Sequence, residues 1–388
     1  MRFSWSTGTS TSPPRAARVA TAARVGRRVG LGLRVSAWYR RRQLERGPRV
    51  VAVGGGTGLP VVLRGLKNHT ANLTAVVTVA DDGGSSGRLR GELGILPPGD
   101  IRNCLVALAD TEPLMESLFQ HRFQRGEGLA GHTFGNLFIA AMTEVTGDFE
   151  EAVMQSSRVL KVRGTVLPST LDNVVLEAEL SDGRVVAGET AIAGEGRTAT
   201  IVRVRLSPPA PKALPAAVRA IEEADMVVLG PGSLFTSIMP NLLVPGIRRA
   251  VVRAALRRGV PVVLVLNVMT QPGETTGFDG ARHLRVVQDA LDGRIGWVIV
   301  NTARVPAETQ RRYREQGAQV VPAPPGLLER LGARVVRGHL LDAEGLREGL
   351  VRHDPDRLAE AVLSVAGRAV RPRPPAAAGP AGRGVIRS

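Results

Sequence analysis

The sequence predicts an α/β protein: a mainly parallel sheet, doubly wound, with a small antiparallel β insert. Three observations predict it. Short β-branched runs recur from Arg49 onward and end in glycine-rich or acidic loops. Helical patterns separate several of these runs. One stretch, residues 160–206, changes instead to period-two alternation, the signature of a half-buried antiparallel strand. Buried strands alternating with helices specify a parallel sheet covered on both faces.

Taken in order, "RVVAV" is the first strand, "GGGTG" the loop after it, and Leu59 to Leu66 the first helix. "LTAVVTVA" is a second strand that closes on Asp81 and Asp82. Helices are expected near residues 101–110, 112–123, 134–145 and 148–159. The insert follows, with "NVVLEAELSDGRVVAGET" and "TATIVRVRL" alternating around a turn at Asp182 and Gly183. "SPPAPKALP" at 207–215 is the linker back to the parallel core. "MVVLG", "VPVVLVLN", "GWVIVN" and "AQVVPA" supply the remaining strands. Residues 48–365 therefore read as one α/β domain between two tails.

Charge narrows the partners. The net charge of +16 sits in the tails. Residues 1–47 carry eleven Arg against one acid, and residues 366–388 carry five Arg and no acid, leaving about +1 for the domain. No basic groove for nucleic acid is expected. The N-terminal tail has the composition of a transit peptide. Its apolar stretch is interrupted by arginines and cannot span a bilayer, so it reads as disordered, with weak peripheral contact to an anionic membrane through Arg40, Arg41 and Arg42 beside Trp38 and Tyr39. The C-terminal tail reads as a disordered Pro/Ala/Arg extension. A single cysteine, Cys104, excludes a disulfide framework and a multi-cysteine zinc site and points to the cytoplasm.

Ligands of open α/β sheets bind at the C-terminal ends of the strands, and five loops fall there. Gly54, Gly55, Gly56, Thr57 and Gly58 open a helix, where free N–H groups suit an anion. Leu59 stands where the dinucleotide fingerprint requires its third glycine, and no P-loop is present. Asp81 and Asp82 can hold a sugar hydroxyl or Mg²⁺, with Ser85, Ser86 and Arg88 cradling phosphate; a solvated turn has similar composition. Asp100 is placed as N-cap of a helix beginning at Ile101, with Arg102 and Asn103 on the same turn, either in the cleft or on the surface. His132 opens another helix as a cap, a packing residue or a ligand contact, and Asn136, one turn on, can read a base edge or a ribose hydroxyl. Gly230, Gly232 and Ser233 repeat the strand, glycine loop and helix start, so two loops together suggest a diphosphate. Asn267 begins "NVMTQPGETT", a polar wall or lid. No nucleophile and base pair announces itself.

In this order "GGGTG", "ADDGGSSGRLR", "LPPGDIRNCL", "GHTFGN", "GPGSLFTSI" and "NVMTQPGET" resemble the bacterial YvcK family, often called gluconeogenesis factors, within the CofD-like superfamily of 2-phospho-L-lactate transferases. The resemblance spans about residues 48–365. It implies a Rossmann-like domain that binds a UDP-sugar, notably UDP-N-acetylglucosamine, with links to gluconeogenic growth, cell shape and peptidoglycan synthesis. CofD-like transferases use Mg²⁺ and a guanylated phospholactate to modify a deazaflavin. Their metal acids match Asp81, Asp82 and Asp100, which makes Asp82 and Asp100 the metal candidates and Mg²⁺ the one cofactor the reading admits. "DDGGSSGRLR" and "GDIRN" follow the YvcK pattern and depart from the transferases. The leading expectation is a nucleotide-sugar-binding regulatory protein, not an enzyme. A Mg²⁺-dependent phospholactyl-type transferase is the alternative, and the missing third glycine disfavours a nicotinamide dehydrogenase. The expected partners are a UDP-sugar or related nucleotide diphosphate, the cell-wall synthesis machinery and further copies of the chain in a homo-oligomer.

Overall fold

The computed structural model describes residues 42–110 and 113–369. After β1 (Val50–Gly54) come α1 (Leu59–Leu66) and β2 (Leu73–Val77), then α2 (Gly84–Leu93), α3 (Gly99–Leu108), α4 (Pro113–Gln120), α5 (Phe134–Thr146), α6 (Phe149–Val159) and β3 (Thr165–Pro168). The insert contains β4 (Val175–Leu180), β5 (Val185–Ala187), α7 (Glu189–Glu195) and β6 (Ile201–Ser207). Next come α8 (Pro215–Glu223), β7 (Met226–Leu229), α9 (Met239–Leu242), α10 (Pro245–Arg258) and β8 (Val262–Val265). The chain finishes with α11 (Gly280–Ala290), β9 (Trp297–Asn301), α12 (Ala307–Glu315), β10 (Arg334–Gly338), α13 (Ala343–Arg347) and α14 (Pro355–Ala369).

The main sheet has seven strands, all parallel, in the order β10-β9-β8-β7-β1-β2-β3. Strands β1, β7 and β8 are buried along their whole length, as β-branched runs must be when helices cover both faces. The chain leaves β1 in one direction through β2 and β3, and leaves β7 in the other through β8 to β10. Crossovers of one hand put the helices of each half on one face, and the reversal of winding puts the two halves on opposite faces. Gly54 pairs with Val77 and Val53 with Leu229, so the loops after β1 and β7 emerge side by side at the reversal of winding. The expected doubly wound architecture is present, and the insert forms the expected antiparallel sheet, in the order β5-β4-β6.

Five details differ from expectation. Strand β3 lies within 160–206 yet pairs parallel with β2, so the antiparallel insert begins after it. "AQVVPA" makes only an isolated bridge, between Val320 and Met269, because Pro322 has no N–H to extend a ladder. The last strand is instead β10, whose Arg334 and Arg337 suit an edge and hide its pattern. Residues 84–93, read as loop, form α2 and stop at Gly94 in the left-handed region, φ 67°. Helix α14 runs to Ala369, past the boundary expected at 365. Residues 42–45, expected within the disordered tail, form a helical turn tied to the fold by Ala71 N and Asn72 Nδ2, which donate to the Leu44 and Glu45 carbonyls at 2.9 Å; the expectations for residues 1–41 and 370–388 lie outside the described residues. Among the described residues no helix is long and apolar enough to cross a membrane.

Candidate functional site

The two glycine loops meet back to back at the reversal. Gly56 adopts φ 62°, and a side-chain carbon on Gly58 would stand 2.5 Å from the Pro231 carbonyl oxygen. Only glycine allows both the turn and the approach. Helix α1 then starts with Gly58 as an N-cap that offers no side-chain acceptor, which leaves first-turn N–H groups without side-chain partners. The buried Asn241 locks the two loops together by donating from Nδ2 to the carbonyls of Gly54 (2.9 Å) and Ser237 (2.8 Å). Asn267 clamps the second loop, accepting from Gly232 N at 3.3 Å and donating to its carbonyl at 2.7 Å. Beyond Ser233 the chain makes a π-turn, Leu234–Ile238, before α9; such turns recur at functional sites.

A cleft of about 330 Å³ opens over these loops. Gly56, Thr57, Gly58, Gly232, Ser233 and Asn267 line one side, and Met269, Tyr313, Gln316, Val351, Arg352 and His353 the other. Met269 belongs to the wall expected from Asn267 onward; the rest of this second side was not anticipated, because it comes from α12 and the segment before α14, distant in sequence, and no local motif marks it. His353 is buried with Nε2 unpartnered, and burial pushes its pKa down to about 4.

The other anticipated residues lie beside the cleft as a polar floor, joined to it through Asp100. Asp100 does not cap a helix at Ile101. Helix α3 starts earlier, at Gly99, with Pro98 as N-cap, and the Asp100 carboxylate instead accepts from Gly56 N at 2.7 Å. Burial, with the neighbouring charge of Asp81 acting in the same direction, raises its pKa to about 6 against the opposing Gly56 N–H. Asp81 accepts from Gly83 N at 2.8 Å. Asp82 is engaged by the insert: its Oδ1 accepts from Thr190 N and Thr190 Oγ1, both at 2.9 Å. Among the described residues no three His, Cys, Asp or Glu side chains are grouped to hold a metal ion. Asp82 and Asp100 each give one carboxylate oxygen to a hydrogen bond within the fold, and no chemical step is assigned to Mg²⁺.

Ser86 Oγ accepts from Gly99 N at 3.1 Å. Arg88 is not part of the cleft lining and donates to the Ala130 carbonyl at 2.9 Å. Arg102 is a guanidinium without a carboxylate partner among the described residues, its pKa lowered chiefly by burial. It donates to Asn136 Oδ1 (2.8 Å) and Asn103 Oδ1 (2.7 Å). Asn136 Nδ2 in turn donates to Ser85 Oγ, and Ser85 Oγ contacts His132 Nδ1, both at 3.0 Å. Arg102 thus fixes the Asn136 amide with Oδ1 toward the guanidinium and Nδ2 toward Ser85; the direction of the Ser85–His132 bond follows the imidazole tautomer. A hydroxyl and imidazole pair exists that no sequence spacing announced, although both residues are buried and neither lines the cleft.

Two further carboxyl groups were missed. Glu274, in the polar loop after β8, is buried and accepts from Thr236 Oγ1 at 3.1 Å, with Oε2 unpartnered. Glu189, the first residue of α7, is half-buried above it. Burial and then the charges of Asp81, Asp100 and Glu274 push its pKa up to about 9. Insert and core therefore meet through carboxyl groups that cannot all be ionised.

A doubly wound sheet with paired glycine loops over its reversal point defines the class, a Rossmann-like α/β protein. The 2-phospho-L-lactate transferase CofD family matches residues 50–341. The gluconeogenesis factor of Bacillus subtilis is 47% identical over 319 residues, covering 82% of this chain and 98% of that one. The gluconeogenesis factor of Halalkalibacterium halodurans is 45% identical over 315 residues, covering 81% and 95%. A crystal structure of a UPF0052-family protein from Bacillus halodurans superimposes with TM-score 0.76 at 43% identity, covering 82% of this chain and 99% of that one. The chain belongs to the CofD family, in its gluconeogenesis factor (YvcK) branch. These relatives are named as factors, not as enzymes.

Proposed function

We propose that this protein binds a UDP-sugar of the UDP-N-acetylglucosamine type in the cleft at the sheet reversal, and that it acts in the cytoplasm as a regulator, not a catalyst, coupling gluconeogenic growth to cell shape and cell-wall synthesis. The observation that carries the reading is the convergence of two glycine loops, one at the uncapped start of α1, on a single cleft. Two anionic groups in tandem suit that pair of loops. The wall of Met269, Tyr313 and Val351 offers an apolar surface for a base, and Arg352 a charge beside it. The Ser85 and His132 pair stands outside the cleft lining, in keeping with binding without turnover.

Isothermal calorimetry of the full chain tests this, using UDP-N-acetylglucosamine with and without Mg²⁺ and with GDP and NAD as controls. Uridine-selective, micromolar binding that leaves the ligand intact is expected. Absence of UDP-sugar binding would sink the reading. The family match sustains one competitor, a phospholactyl-type transferase of deazaflavin cofactor synthesis. Its mark would be preference for a guanosine ligand only with Mg²⁺, followed by transfer to a deazaflavin acceptor.

A further inference from the structure

Helices α8 and α10 form a basic surface in a domain whose net charge is close to zero. Helix α10, "PGIRRAVVRAALRR", carries five arginines and no acid over 14 residues. Arg249, Arg253 and Arg257 recur at fourth positions and share one exposed face. Leu256 stands between the last two, 54% exposed. At the other end of this face Lys212 and Arg219 join Arg249 and Arg253 around one open cleft, whose lining contains no acid. Arg253 is paired with Glu222 at 2.6 Å. Among the described residues no carboxylate lies within ion-pair distance of Lys212, Arg219, Arg249 or Arg257. The face is continuous with the start of the fold, because Asp225 bridges Arg258 of α10 at 3.7 Å and Arg49 at 3.1 Å. Residues 1–47, with a net charge of +10, therefore join the domain beside it.

We infer that the exposed face of α10 with its α8 neighbours docks on an anionic lipid surface. The unpaired cations complement phosphate-bearing headgroups, and Leu256, set among arginines on the outward side, suits insertion at the acyl boundary. A nucleic acid would use the same charges but would leave Leu256 without a role. The inference is independent of the ligand assigned to the cleft.

Sedimentation of the full chain with phosphatidylcholine vesicles containing roughly a third phosphatidylglycerol tests it. The triple variant Arg219→Gln, Arg249→Gln, Arg257→Gln removes charges that hold no partner in the fold. Vesicle affinity should fall about fivefold per charge, roughly a hundredfold in all, the equivalent of about 1 kcal/mol for each basic residue at an anionic surface. The corresponding triple lysine variant should bind as the parent does, and Leu256→Ser should weaken binding with every charge intact. Unaltered thermal melting would verify folding of each variant. Parental affinity in the glutamine variant would assign any vesicle binding to the N-terminal tail alone and overturn the inference. Equal binding to pure phosphatidylcholine would do the same, as would a loss confined to duplex DNA.

Discussion

Glycine and carboxyl positions decide the site at the scale of single residues. At Gly58 any side chain meets the Pro231 carbonyl, so Gly58→Ala must part the two glycine loops. The expected effect is a stability loss of about 1–3 kcal/mol, seen in the denaturant midpoint, together with loss of UDP-sugar affinity; an unchanged midpoint would refute the back-to-back packing. Glu189 makes a second prediction, with a sign opposite to that of ordinary surface acids. Its pKa is raised on folding to about 9, so the folded state holds a proton that the unfolded chain releases near the ordinary value. Stability from this group is complete at acid pH and is lost as pH rises from about 4.5 to about 9. Glu189→Gln, which has no proton to lose, should therefore stabilise the protein at pH 7 by about 1–3 kcal/mol and leave it unchanged at about pH 4. Urea titrations at the two pH values check this, and equal effects at both would refute the assignment. Asp100, raised to about 6, acts in the same direction over a narrower window. The sequence marked Asp100 as a helix cap or a metal and ligand residue. Its true partner, Gly56 N, is 44 positions away, beyond the reach of any local pattern.

Between elements, apolar residues of the insert join the main core, and Asp82 adds two hydrogen bonds to it. In Asp82→Ala the N–H and hydroxyl of Thr190 both lose their acceptor. A lost helix-start hydrogen bond costs about 1 kcal/mol, so amides of α7 should exchange with deuterium about fivefold faster while those of β1 keep their rates. Equal rates in α7 would show that packing alone seats the insert. Buried strands with β-branched runs could be read from local sequence, as could α1 and α3 to α6. Helix α2 could not, because its glycines and serines have the composition of a turn. It is stabilised by side chains that find remote partners, Ser85 with His132 and Ser86 with Gly99. Strand β10 was hidden for a different reason: edge position permits Arg334 and Arg337 to flank Val335 and Val336, which leaves a hydrophobic run of only two residues.

For the whole molecule, the folded state should be linked to ligand. UDP-N-acetylglucosamine at about a hundred times its dissociation constant should stabilise the full chain by about 2.7 kcal/mol, with or without Mg²⁺. Thermal melting reads this directly. A shift with GDP and Mg²⁺ but none with the UDP-sugar would transfer the assignment to the transferase. What the sequence alone determined is the class of fold and the place of the two glycine loops. Strand periodicity, helix starts and glycine turns are local consequences of backbone sterics and burial, and they remain visible in a linear chain. Only the tertiary structure decided which of those residues face the cleft, how Asp82 and Asp100 are used, and that Tyr313, Arg352 and His353 complete the opposite wall. Those outcomes depend on which remote segments the doubly wound sheet brings together, and on the loss of water that resets the carboxyl groups once they meet.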